Sequence, residues 1–285
     1  VYFMVYGYMN RGRHEGSVGV AVYFYNSMTN TVEEKIYIPY GKSYELLKSD
    51  INRLSYVNRV NVYYFMMNDS VYAVNLETEV CQIIARGLRD GRYHVSDSNK
   101  MLVWQEGDGE YAGSRLVLMN LNTQSKTSIE AGEGEYISIL GFMEEDMIYG
   151  LTKQSDIVES STGAVMLPMY CVRIQSENGD VLKTYDKEGV YVSGSRIEEN
   201  QITLSRVVWN EETQEYEETT EDQIMSTEQA RVGVNTIGKV VTETYETISQ
   251  ITVKNEIDVK SLKRLTPREV LFEGNHNVAV EEPGE

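Results

Sequence analysis

The sequence predicts an all-β fold: a β-propeller, or a large part of one, assembled from four-stranded antiparallel blades. Three observations predict it. A Gly-x-Tyr signal recurs at blade spacing, short alternating apolar runs follow one another with polar turns between them, and helical patterning is nearly absent. Composition agrees, with 21 Tyr against 5 Phe and 2 Trp, and only 4 Pro in 285 residues. Tyrosine suits a half-buried pleated surface because its ring covers apolar neighbours while its hydroxyl reaches water.

The first unit, residues 1–41, is partial. It opens inside a strand-like run, Val1-Tyr2-Phe3-Met4-Val5-Tyr6, and continues as strands over 18–25 and 32–38 with a polar turn at 26–30. The last two read as third and fourth strands, so the unit lacks its opening strand. The chain is accordingly expected to be a trimmed or processed piece of a longer protein. Tyr44-Glu45-Leu46-Leu47-Lys48 is the one plausible turn of helix.

Four fuller units follow, at 51–90, 91–132, 134–188 and 189–229. The unit at 51–90 runs through Tyr56-Val57, the turn Asn58-Arg59-Val60-Asn61 and Val62-Tyr63-Tyr64-Phe65. Its third strand, Val71-Tyr72-Ala73-Val74-Asn75-Leu76-Glu77-Thr78, matches Leu116-Val117-Leu118-Met119-Asn120-Leu121-Asn122-Thr123 at an offset of 45 residues, and both end in Asn-Leu-x-Thr. The units at 91, 134 and 189 open on Gly91-Arg92-Tyr93, Gly134-Glu135-Tyr136 and Gly189-Val190-Tyr191, 43 and then 55 residues apart. Each opening reads as a turn glycine releasing the chain into a strand. Within 134–188, Asn178-Gly179 supplies the positive φ angles of a tight hairpin. The acidic run at 211–221 reads as a long exposed hairpin whose charges oppose edge-to-edge pairing.

The tail, 230–285, holds alternating stretches at 240–245 and 248–253 and the short run Glu269-Val270-Leu271-Phe272. A propeller closes its ring by joining strands from both ends, and the absent first strand of the opening unit is the gap the tail is expected to fill. Alternation with short turns also suits a β-sandwich. The Gly-x-Tyr signal at blade spacing favours the propeller.

The stretch Ser96-Asp97-Ser98-Asn99-Lys100-Met101-Leu102-Val103-Trp104 resembles the strand-one-to-strand-two corner of TolB-type and dipeptidyl-peptidase-type N-terminal propellers. Those carry Ser-Pro-Asp-Gly before an apolar strand. Here Ser96 fits and Asn99 stands in for the turn glycine, while the Pro and the Asp are displaced or absent and the other units lack the motif. The resemblance covers residues 51–229. It implies a binding or gating module whose chemistry, where there is any, sits in an attached domain.

Charge narrows the partners. With 44 acidic and 26 basic residues the net charge is −18, a field that repels phosphate backbones, so nucleic acid is not an expected partner. The small basic patches (Arg11, Arg13 and His14; Arg86, Arg89 and Arg92; Lys260, Lys263, Arg264 and Arg268) read as solvated strand ends and turns. No apolar run approaches 18 residues, so no membrane-spanning segment is expected. Cys81 and Cys171 fall at different positions of the repeat and are expected to be two buried, unpaired thiols.

Catalytic spacing is not found. No Ser has glycines two residues away on both sides, and Ser193 and Ser195 sit in a predicted strand. His14, His94 and His276 are too far apart in sequence to announce a zinc site. His94 is the one with a candidate pocket role. Glu106-Gly107-Asp108-Gly109-Glu110 is the most concentrated acidic loop, and Glu106, Asp108 and Glu110 are candidate ligands for a hard cation. The insertion 154–167 is the most irregular segment, where Asp156, Glu159, Ser160, Ser161 and Thr162 offer hydrogen bonds to a sugar or peptide. No cofactor is expected. Two readings follow: a non-catalytic propeller binding or scaffold module, exported or envelope-associated, that recognises a protein or glycan; or the substrate-gating propeller domain of a larger hydrolase.

Overall fold

The computed structural model describes residues 1–107, 113–159, 165–198, 201–225, 236–241, 247–252, 265–272 and 274–280. Five antiparallel meanders follow one another along the chain. The first joins β1 (Tyr2–Tyr8), β2 (Val18–Asn26) and β3 (Thr31–Pro39), and α1 (Tyr44–Arg53) leads out of it. The second is β4 (Ser55–Val57), β5 (Val62–Met67), β6 (Ser70–Asn75) and β7 (Cys81–Ala85). The third is β8 (Tyr93–Val95), β9 (Met101–Glu106), β10 (Arg115–Asn120) and β11 (Lys126–Glu130).

In the fourth, β12 (Glu135–Met143) and β13 (Asp146–Lys153) are separated in sequence from β16 (Cys171–Gln175) and β17 (Val181–Asp186) by a small hairpin, β14 (Val158–Glu159) and β15 (Val165–Met166). The fifth contains β18 (Tyr191–Glu198), β19 (Gln201–Asn210) and β20 (Glu215–Met225). A two-stranded pair, β21 (Thr236–Val241) and β22 (Thr247–Thr252), precedes β23 (Glu269–Leu271).

The sheets stack face to face in chain order. One core joins the first sheet to the second through Val22, Ile36 and Ile38 against Phe65, Tyr72 and Val74. The next sets Tyr64 and Met66 against Leu102, Trp104 and Met119. A third sets Met101 and Leu118 against Ile139 and Tyr149, and a fourth packs Ile148 and Val172 on Ile202 and Leu204. Strands β5 and β6 therefore read as continuous buried runs rather than alternating ones, since each face meets a neighbouring sheet. Successive meanders packed face to face, with the second, third and fourth each buried between two neighbours, make an all-β, propeller-like fold.

The turns explain the repeat. Gly91, Gly134 and Gly189 all have positive φ (81°, 74° and 72°), which is why a glycine stands two residues before each leading tyrosine. A second device recurs more widely than the sequence reading noticed. Asn26, Asn75, Asn120 and Asn210 each accept, on the side-chain oxygen, the N–H groups two and three residues on, at 2.8–3.4 Å. Each has Thr three residues later and then a residue at positive φ, namely Asn30, Glu79, Gln124 and Gln214. These are Asx-turns that set hairpin register.

Three features depart from expectation. The helix is ten residues long, not one turn, because Leu47 and Ile51 lie one above the other on the face that enters the first core. The tail strand β23 does join the first sheet, but it lies parallel along β3 at Glu269↔Thr31, Val270↔Val32 and Leu271↔Glu33, at the edge opposite the vacant place beside β1. Neither cysteine is in a disulfide, and burial pushes the Cys171 thiol up, but Cys81 is half-exposed rather than buried. The acidic run divides into a turn at 211–214 and the exposed strand β20.

Candidate binding groove

The insertion in the fourth sheet reaches across to the fifth. After β13 the chain makes a single 3-10 turn, Gln154–Asp156, whose last carbonyl accepts the Tyr216 hydroxyl at 3.0 Å. An antiparallel bridge between Met169 and Val192 ties the return path of the insertion to β18. Between the small hairpin and the β19–β20 turn lies a groove of about 540 Å³. Val158, Val165, Met166 and Leu167 line one side, Thr213, Gln214, Glu215 and Tyr216 the other, and Ser193 also borders it.

Tyr216 is fixed by aromatic packing as well as by its hydrogen bond. Its ring meets Trp209, its cross-strand partner, edge to face at 5.0 Å and Tyr191 at 5.3 Å. Burial, followed by the neighbouring Tyr191 and the Asp156 charge, pushes the Tyr216 phenol up to about 12, so it stays a hydrogen-bond donor at any physiological pH. Burial and Asp156 likewise raise Tyr191. Among the described residues the lining includes Glu159 and Glu215 and no Lys or Arg. An apolar wall flanked by carboxylates and a clamped aromatic ring can hold a ligand.

Of the residues singled out from sequence, Glu159 lines this groove, and Asp156 holds the lining residue Tyr216 through its backbone carbonyl. Ser160, Ser161 and Thr162 lie outside the described residues. His94 is elsewhere, in β8, near Gly141 of β12, and burial holds its imidazole below the usual value. Glu106 is engaged within the protein, accepting the Trp104 indole N–H at 3.0 Å and facing Arg115 at 3.7 Å, while Asp108 and Glu110 lie outside the described residues. Among the described residues no group of three or more His, Cys, Asp or Glu side chains is placed to hold a metal ion. Sequence reasoning missed Tyr191, Trp209 and Tyr216. The one available signal was Tyr216 itself, the only aromatic in the acidic run.

No family model matches the chain, and no curated protein matches it. Similar solved structures include oligogalacturonate lyase from Vibrio parahaemolyticus (12% identity, TM-score 0.30), which covers 78% of this chain and 67% of its own. They also include dipeptidyl peptidase 4 from Porphyromonas gingivalis (7% identity, TM-score 0.22, 85% and 55% coverage). A third is the WD40 domain of SCAP from fission yeast (10% identity, TM-score 0.25, 61% and 44% coverage). Among the described residues no helix is long and apolar enough to cross a membrane. The fold assignment rests on the sheet order and on the cores between successive sheets.

Proposed function

We propose that this protein is a non-catalytic, propeller-type recognition module, exported or held at the cell envelope, that binds a partner protein through the groove between the fourth-sheet insertion and the β19–β20 hairpin. The observation that carries the reading is the composition of that groove: apolar on the insertion side, with Glu159 and Glu215 in its lining and no cation among its described lining residues. Such a surface selects an extended segment that places an apolar side chain beside a basic one. The net charge of −18 favours the same class of partner by long-range attraction.

Trp209 reports on the groove through Tyr216, so a fluorescence titration tests the reading directly. Short peptides alternating apolar and Lys residues are expected to change the emission, with affinity falling roughly tenfold when Glu159 and Glu215 are both changed to Gln. Binding of neutral oligosaccharides in preference to these peptides would replace the protein partner by a glycan. No response to either class would overturn the assignment. A secretion signal in the full-length reading frame checks the location, and an attached α/β-hydrolase domain there would favour the gating reading.

A further inference from the structure

The first sheet has a second, unfilled face. Along β1, Tyr2, Met4 and Tyr6 pack into the core shared with the second sheet, so Phe3 and Val5 point the other way. Phe3 is 40% exposed and Val5 47% exposed. The Phe3 ring stacks on Tyr23, its partner in β2, at 5.4 Å, and the tail adds Val270 and Phe272, each 47% exposed. Together they line a groove of about 370 Å³, within the size range of small-molecule sites.

One end of this groove is cationic. Arg11, Arg13 and His14, from the loop joining β1 to β2, all border it. Arg13 donates to the carbonyl of Gly274 in the tail. In a chain with 44 acidic residues, neither arginine forms an ion pair with a carboxylate among the described residues.

Among the described residues the one carboxylate in the wall is Glu34, fully buried and already satisfied. Its Oε1 lies 2.9 Å from His14 Nε2, and its Oε2 accepts the Tyr23 hydroxyl at 3.1 Å. His14 is held flat on Tyr37, with ring centroids 3.6 Å apart, and Ser17 Oγ donates to the His14 carbonyl. The wall is thus built and internally paired, while the two guanidiniums keep donors for an outside anion.

We propose that this groove is a second binding site, distinct from the one above, for a small amphipathic anion: a linear or aryl-bearing chain that ends in a carboxylate. The chain lies along Phe3, Val5 and Phe272, and the carboxylate meets Arg11 and Arg13. The charge sign follows from two guanidiniums that meet no carboxylate among the described residues, and the apolar body from the exposed side chains beside them.

Calorimetric titration of the intact protein with octanoate, octanol and octylamine tests the proposal. Octanoate is expected to bind best, octylamine at least tenfold more weakly, and the Arg11→Gln/Arg13→Gln double variant to lose roughly tenfold for octanoate while octanol is unchanged. Phe272→Ala is expected to weaken octanoate and octanol alike, and Tyr216→Ala, which alters the other groove, to weaken neither. Circular dichroism confirms that each variant is folded. Octanoate binding no tighter than octylamine, or unchanged in the double arginine variant, would overturn the site.

Discussion

Changing Asp222 to Asn loosens the seam between the fourth and fifth sheets, and the loss depends on pH in a calculable direction. Asp222 Oδ2 accepts Lys187 Nζ at 2.5 Å, the Tyr185 hydroxyl at 3.0 Å and an Arg206 nitrogen at 3.3 Å. Tyr185 and Lys187 belong to or follow β17, and Arg206 lies in β19, so one carboxylate joins two sheets. The hydrogen bond from Lys187, then those from Gln223 N–H and Tyr185, hold the Asp222 carboxyl down at about 2, against 3.8 ordinarily.

A folded-state value below the unfolded one stabilises the protein above the unfolded value and loses that contribution as pH falls through the folded one. Taken whole, the shift corresponds to about 2 kcal/mol before any screening. The seam lies at the surface, where water and salt screen it, and about 1 kcal/mol is the expected cost of Asp222→Asn at pH 7. Roughly half of that difference is expected to vanish by pH 3. Paired urea titrations of the parent and the variant between pH 7 and pH 3 measure it, and raising the salt is expected to shrink it further. A difference that stays constant with pH, or grows as pH falls, would refute the reasoning.

Two further substitutions test the packing and the turns. Gly150 lies in β13 with Met169 against it, and a Cβ there would collide with Met169 Sδ and Cγ, so Gly150→Ala is expected to destabilise by about 1–3 kcal/mol in a thermal melt. Asn120→Ala removes the acceptor of two turn N–H groups and is expected to lower stability by about 1 kcal/mol without changing the far-ultraviolet circular dichroism; a change below ~0.3 kcal/mol would show that the Asx-turn is dispensable.

Local signals explain why so much of the strand order was legible. Turns are written in one or two residues, such as Gly189 at positive φ or Asn178-Gly179, where Gly179 alone of the pair takes positive φ, and the strands between them carry their own pairing pattern. The helix was under-read because Asp50 and Ile51 lie beyond the short Tyr44-to-Lys48 pattern, and only the core against which Leu47 and Ile51 pack extends it. The edge chosen by β23 was illegible for another reason. Glu269-Val270-Leu271 pairs as well with either edge of an open sheet, and the side is fixed by contacts outside that run, the Tyr37–Asn277 bridge farther along β3 and the burial of Val278. The groove was half legible: Asp156 and Glu159 drew notice as polar groups in a long insertion, but the aromatic cluster that faces them comes from another sheet. No local pattern in the sequence records which face Trp209 shares with Tyr216 and Tyr191.

Pairing β23 with β3 also has a kinetic consequence. The contact Glu269↔Thr31 joins residues near opposite ends of the chain, while every other described strand pair is a hairpin or a short return. Long-range closure pays its chain-entropy cost late, after local meanders have formed. The five sheets can therefore assemble in sequence from nearby contacts, leaving the tail as the final latch. Interactions absent from the folding transition state act mainly on the unfolding rate. Weakening the latch, for example at Val278, is expected to shorten the lifetime of the native state while leaving its rate of formation almost untouched.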